Sequence, residues 1–423
     1  MRILVLGSGA REHAIILALR GESADHEIFA APGNAGIAQD ATVVALDPND
    51  PAAVTTYAND EHIDLVVIGP EAPLVAGVAD ELRERGIPVF GPGRAAAQLE
   101  GSKSFAKRVM DAAGVPTGRS VRAHTRDELA AALDGFGAPY VVKADGLAAG
   151  KGVIVTDDRD AALAHADAYL GASPVLVEEF LEGPEVSLFF LCDGDHVLPL
   201  SPAQDYKRLR DGDEGPNTGG MGAYSPLPWL LERFGGEDAF VDLVTTTIAE
   251  PVIHQLDAEG TPFIGLLYAG LVLTDDGVKV IEFNARFGDP ETQVVLPRLV
   301  DPLSDLLLAA ASGHLEDFSR PAFAKATAVT VVLASEGYPS APVTGRVLTG
   351  LDAAAAVDGV HLAHAATGRT DEGLVATGGR VLNVVALGTT FAESTSRAYS
   401  ALAKIGLEGG QYRTDIAARV IDT

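Results

Sequence analysis

The chain has 423 residues, 47% of them hydrophobic, which is enough for several buried cores and incompatible with a disordered polymer. Acidic residues outnumber Lys and Arg by 59 to 31, a formal charge of −28 that argues against a nucleic-acid binder or a protein docked on anionic lipid. A single cysteine, Cys192, excludes an internal disulfide framework and any multi-cysteine metal site.

Residues 1–100 alternate short apolar runs with helical stretches. Residues 3–6 (Ile-Leu-Val-Leu) predict a buried strand, followed by a glycine turn and a helix over 12–19. That turn and its charged residues end the first apolar run too early for a secretory signal. Further strands are expected at 27–30, 42–45, 65–68 and 89–90, with a helix over 73–85. The order implies a doubly wound, mostly parallel sheet, whose ligands bind beyond the carboxyl ends of the strands. Those ends are the loops 7–13, 32–36, 69–73 and 91–93. A helix is expected over 102–113. Residues 119–190 mix strands (141–143, 152–156, 175–180, 185–192) with a helix near 161–170 and a Gly-rich loop at 146–152. Residues 203–223 read as a long polar loop, 238–259 as a helix, 264–273 and 278–282 as a hairpin, and 301–311 as a helix. A third module, from about 325 to 423, has strands at 328–334 and 381–387 and a closing helix over 390–405. No stretch of 18 apolar residues occurs, which argues against a transmembrane helix.

Several segments carry candidate chemistry. The loop Gly7-Ser8-Gly9-Ala10-Arg11-Glu12-His13 lacks the third glycine of a dinucleotide fingerprint, because position 12 is Glu. It fits a phosphate site at a helix N-terminus, with Arg11 adding charge, or an ordinary tight turn. His13 fits either a packed residue or a substrate contact. Lys143 and Lys151 bracket a glycine-rich loop able to close over an anionic ligand. Lys103 and Lys207 also flank turn segments, so half of the eight lysines could form local positive wells on a repelling surface. Glu282 and Asn284 stand two apart on a strand, share a face, and offer hard oxygen ligands to a divalent cation, although an alternating edge strand looks the same. Arg286 follows, suited to clamping an anion. In the polar loop, Asp213 could take the ammonium of an amino acid, and Asn217, Thr218 and backbone amides its carboxylate. Cys192 reads as a buried, inert thiol. Neither G-x-S-x-G nor HExxH is present.

In their order along the chain, GSGAREH (7–13), GPEAPL (69–74), AAQLEGSKSFAK (96–107), KADGLAAGKGV (143–153), VEEFLEGPE (177–185), GPNTGGMGAYSP (215–226), LYAGL (267–271) and IEFNARFGDPETQ (281–293) resemble the ATP-grasp ligases, and within them the phosphoribosylamine–glycine ligase family. The resemblance implies an α/β protein in three parts. These are an N-terminal parallel-sheet preATP-grasp domain (1–101), an α+β ATP-grasp body (102–322) with a small lid at about 119–190, and a C-terminal rudimentary hybrid-type domain (323–423). It implies a cytoplasmic, monomeric enzyme of purine biosynthesis that joins glycine to 5-phosphoribosylamine through glycyl phosphate, with ATP as cosubstrate and Mg²⁺ or Mn²⁺. Its partners would be these small molecules, with no nucleic acid and no membrane.

The same resemblance implies an ATP site of Lys103, Lys143, Lys151, Glu178, Glu179, Phe180, Leu181 and Glu185. Lys103 and Lys143 would meet phosphates, the backbone of 177–181 the adenine, and Glu185 the ribose side. Glu282 and Asn284 would be the metal ligands. Gly9, Arg11, Glu71, Asp213, Asn217, Thr218 and Arg286 would bind substrates, with Lys143, Arg286 and Asp213 acting in catalysis. Ser8, Ala10, Tyr206 and Ala285 stand where the family often has Asn, Gly, His and Cys, and the chain between Tyr169 and Val175 is shorter than in many relatives. A carboxylase or formate-using ligase of the same superfamily would share the lysines and Glu282 but depart across 204–226 and 281–293. A nucleotide-binding regulator with a dead site would bind ATP without turnover.

Overall fold

In the computed structural model, which describes residues 1–146, 152–171 and 173–422, the apolar N-terminal run becomes the central strand of a five-stranded parallel sheet. The order is Thr42–Val43, Glu27–Pro32, Arg2–Gly7, Leu65–Ile68, Val89–Phe90. Ile3 to Leu6 are all fully buried, as expected of a parallel strand covered on both faces. The edge strand is shorter than its sequence suggests, and both of its residues are exposed. The helix expected over 73–85 is two helices, Glu71–Ala76 and Val78–Glu84. Gly77 separates them at φ 87°, a left-handed conformation that ends the first helix and that glycine adopts without strain.

The region expected to be a lid contains a four-stranded antiparallel sheet in the order Ser120–Ala123, Val175–Glu178, Tyr140–Ala144, Val153–Thr156. Its helices Arg126–Phe136 and Arg159–Asp167 enclose a separate core around Leu129, Leu133, Val142 and Val177. The lid sheet ends at Glu178. Residues 185–190, grouped with the lid from sequence, belong to the strand Glu185–Asp193, which pairs along its whole length with Ile264–Thr274 of the body. The hairpin to Gly277–Asn284 forms as expected across Asp275-Asp276.

Residues 203–223 depart most from expectation. They contain four short strands, Gln204–Asp205, Arg208–Arg210, Glu214–Asn217 and Gly222–Ser225. Gly222–Ser225 pairs with Gln204–Asp205 and with Thr327–Ala334, so a sheet of the C-terminal module recruits strands from the middle of the chain. Cys192 is fully buried on its strand, and burial pushes its thiol pKa up, which keeps it unreactive.

His13 resolves as a packed residue. Its Nε2 lies 3.0 Å from Asp40 Oδ2, and its Nδ1 accepts the backbone N–H of His364 at 2.9 Å. That contact ties the N-terminal sheet to the strand Val360–His364 of the C-terminal module. Burial, reinforced by His13, lowers both His361 and His364 to about 4. Unfolded histidines titrate near 6.5, so between those values the folded state binds fewer protons. Stability is therefore complete above about 6.5 and falls as pH drops towards 4. The thermal midpoint should fall more between pH 7 and pH 5 in the parent than in His361→Asn/His364→Asn. An equal drop in both would remove these histidines from the acid response.

Candidate active site

The alternation of the strand Gly277–Asn284 puts Glu282 and Asn284 on one face and the buried Phe283 on the other. Glu282 has no hydrogen bond or ion pair among the described residues, yet Lys207, Lys143, Lys103 and Arg286 all face it. Burial works against its charge, but these four cations outweigh burial and hold the carboxyl below its ordinary range. Asn284 Oδ1 lies 3.4 Å from Arg286 Nη2.

The lysines reach this point from separate elements. Lys143, on the strand Tyr140–Ala144, donates to Glu178 at 2.9 Å and to the Ile281 carbonyl at 3.2 Å. Lys107, which the sequence reading did not single out, lies 3.3 Å from the same Glu178 oxygen. Glu178 is thus the counter-ion of two buried lysines. Lys103 opens the helix Lys103–Ala113, capped by Ser102, and donates to the Gly146 carbonyl at 3.2 Å. Burial draws its pKa down despite Glu282. Residues 147–151 of the glycine-rich loop, Lys151 among them, lie outside the described residues.

The segment from 179 to 184 joins lid to body. Glu179 accepts from Arg119 at 2.9 Å, Phe180 is exposed and Leu181 half-buried. An aromatic and an aliphatic side chain at a junction of two sheets suit the flat face of a base. Glu185 begins the body strand and pairs with Lys207 at 2.5 Å. Behind them, Glu291 accepts from Tyr268 Oη at 2.6 Å and from Ser187 Oγ at 3.1 Å. Burial, only partly offset by Lys207, pushes Asp205 up to about 7, with Glu291, Glu185 and Glu282 adding to the rise.

A second cluster forms where the N-terminal strand ends meet the end of the hairpin. Arg286 Nη2 is 2.9 Å from Glu100 and its Nε 3.7 Å from Glu71. Arg286 and Arg11 both donate to the Phe287 carbonyl at 3.2 Å. Burial raises the Glu71 pKa, but Arg286 and Arg11 bring it below its ordinary value. Gly9, Arg11, Glu71 and Arg286 are therefore neighbours, as their motifs suggested. Glu100, which falls within AAQLEGSKSFAK, could have been found from that segment. Glu12 accepts from Gly9 N and from Arg11 Nε, both at 2.6 Å. A Cβ at Gly69 would lie 2.1 Å from Glu12 Oε1, so glycine is required there. The third glycine of a dinucleotide fingerprint is thus replaced by a carboxylate bonded within the loop.

Asp213, expected to take a substrate ammonium, is tied to the C-terminal tail: its Oδ1 accepts from Arg413 and its Oδ2 from Arg419, each at 2.8 Å. Thr218 Oγ1 donates to the Lys207 carbonyl at 2.8 Å and accepts from Gly220 N at 3.0 Å, holding a turn. Asn217 is exposed. Thr218 thus touches the main chain of Lys207, one of the cations that face Glu282.

Three family models match the chain: the N domain of phosphoribosylglycinamide synthetase over residues 1–100, its ATP-grasp (A) domain over 101–292 and its C domain over 328–419. The chain is 69% identical to the phosphoribosylamine–glycine ligase of Leifsonia xyli subsp. xyli, over 99% of this chain and 100% of that protein. To that of Streptomyces coelicolor it is 57% identical, over 99% of each. The crystal structure of the Thermotoga maritima phosphoribosylamine–glycine ligase matches with a TM-score of 0.81 at 34% identity, covering 98% of this chain and 100% of that one. The biotin carboxylase domain of Hydrogenobacter thermophilus 2-oxoglutarate carboxylase shares the fold alone, with a TM-score of 0.69 at 17% identity over 97% and 91% of the two chains.

Proposed function

The chain belongs to the phosphoribosylglycinamide synthetase family, and from that premise we propose how its residues carry out the ATP-dependent ligation of glycine to 5-phosphoribosylamine. That reaction is the second step of purine biosynthesis. The observation that carries the residue assignment is the convergence of Lys103, Lys143, Lys207 and Arg286 on Glu282, in a molecule whose net charge is −28. A surface that repels anions generally attracts them at such a well.

Glu282 and Asn284 fit a divalent cation, since a carboxylate with no protein partner among the described residues stands beside an amide oxygen, a hard donor pair suited to Mg²⁺ or Mn²⁺. When bound there, such an ion supplies charge neutralisation at the phosphates. Lys103 and Lys143 hold phosphoryl oxygens of ATP, with the base against 177–181 and the ribose near Glu185. A carboxylate oxygen of glycine attacks the γ-phosphorus, and the bond to the bridging oxygen breaks with its electron pair leaving on ADP. The attacking group is already ionised, so this step needs positioning and charge neutralisation rather than a base. The amine nitrogen of phosphoribosylamine then attacks the acyl carbon of glycyl phosphate, the carbon–oxygen bond breaks, and phosphate departs. The amine's proton passes to solvent or a nearby carboxylate. Gly9, Arg11, Glu71 and Arg286 receive phosphoribosylamine.

The enzyme acts on small molecules, and we take it as a cytoplasmic monomer. Among the described residues no helix is long and apolar enough to cross a membrane. ADP should form only when ATP, a divalent cation, glycine and phosphoribosylamine are all supplied. Full turnover with formate or bicarbonate in place of glycine would point to the carboxylase or formate-using branch, and ATP binding without glycine-dependent ADP release to a dead site.

A further inference from the structure

Within the strap 204–222, the stretch 208–217 has little of its own to keep it in place. Arg208–Arg210 and Glu214–Asn217 form an isolated two-stranded ribbon, its second strand wholly exposed. Such ribbons are marginal in water. Yet the strap carries Lys207, whose ammonium meets Glu185 at 2.5 Å and faces Glu282 and Asp205.

The ends of the strap are held by the sheet and, at Gly219, by Tyr338 and Arg380; what fixes the stretch between them is the C-terminal tail. The Tyr206 hydroxyl accepts the Ala417 N–H at 2.9 Å, and the Arg413 guanidinium lies over the Tyr206 ring, 4.7 Å from its centre. Arg413 also donates to the Arg208 carbonyl at 3.2 Å and to Asp213 at 2.8 Å. Asp211 accepts from Thr414 N at 2.8 Å, and Gly212 N donates to Asp415 at 2.9 Å. Lys207 thus stands between two residues, Tyr206 and Arg208, that the tail holds directly. The Arg413 side chain is completely buried and forks onto Asp415 with bonds of 2.7 and 2.6 Å. A buried ion pair contributes little net stability, and its best-attested use is to specify one arrangement over others.

We propose that Arg413 is a positioning residue for the ligation: by clamping Tyr206, Arg208 and Asp213 it holds Lys207 against Glu185 and Glu282. The proposal rests on the ligase reading of that site, and it gives the C-terminal tail a part in the chemistry rather than only in the fold.

The test is a cycle of parent, Arg413→Ala, Lys207→Ala and the double variant, followed by glycine-dependent ADP release and by hydrogen exchange. Arg413→Ala should lower kcat by about tenfold in the parent and by less than about twofold in the Lys207→Ala background, because the lost position then has no ammonium to act through. Exchange across 204–218 should rise by about tenfold or more while Ile264–Thr274 stays protected. If Arg413→Ala fails to fold, Asp213→Asn, which leaves the Arg413–Asp415 pair in place, takes its position in the cycle with the same coupling expected. Losses that simply multiply in the double variant, or parent-like exchange over 204–218, overturn the proposal. A parent that releases no ADP with glycine sinks the ligase reading instead, and the exchange comparison still decides the clamp.

Discussion

Replacing Glu282 by Gln is expected to lower glycine-dependent turnover by at least about a thousandfold while leaving the protein folded. Gln keeps the shape and one oxygen but removes the charge that Lys207, Lys143, Lys103 and Arg286 jointly face. Two consequences separate loss of a cation site from general damage. ATP without metal should bind at least as tightly as to the parent, because the lysines are no longer partly neutralised. The further gain in ATP affinity on adding Mg²⁺ or Mn²⁺ should disappear. Stability supplies an independent check. The Glu282 carboxyl is held below its ordinary 4.5, so its charge stabilises the fold above that pH, and the contribution is lost as pH falls through the lower folded value. The thermal midpoint of Glu282→Gln should trail the parent at pH 7 and rejoin it in strong acid. Turnover within tenfold of the parent, with metal dependence intact, would take Glu282 out of the cation site.

What could be read in the sequence, and what could not, follows from the range of the forces involved. Residues 3–6 and 65–68 announce themselves because a parallel strand covered on both faces must be continuously apolar. The hairpin 264–284 is visible in its Asp-Asp-Gly turn, and the shared face of Glu282 and Asn284 in the period of two. The strands inside 203–223 are two to four residues long; Gly222–Ser225 forms because Thr327–Ala334 offers a paired edge, and Gln204–Asp205 joins it there. Nothing local encodes that. The surroundings of Asp213 were hidden for the same reason: its partner Arg413 is 200 residues further along the chain. Glu12 looked like a defect in a glycine motif, and is the side chain around which Gly9 and Gly69 are arranged. The motif lysines were legible as types, but not that Lys143 would share Glu178 with Lys107.

That sharing makes Lys143→Met the second decisive substitution. It should cost at least about a hundredfold in kcat, from loss of a cation at the transferring phosphoryl group. It should also destabilise the fold by about 3 kcal/mol, the lower end for breaking a buried pair by removing one partner. The lower end applies because Lys107 remains 3.3 Å from Glu178. Adding Glu178→Gln leaves the buried Lys107 with only neutral acceptors, Thr117 Oγ1 at 2.9 Å and the Gly118 carbonyl at 2.8 Å. The double variant should therefore lose further midpoint and recover none of the lost turnover. Recovery of turnover in the double variant would make Lys143 a structural cation only. In the parent, two lysines on one carboxylate leave the trio net positive, and Lys103 adds to that excess against Glu282. A well held positive inside so acidic a chain costs stability until an anion enters it, so a saturating concentration of ATP should raise the midpoint of the parent more than that of Lys143→Met.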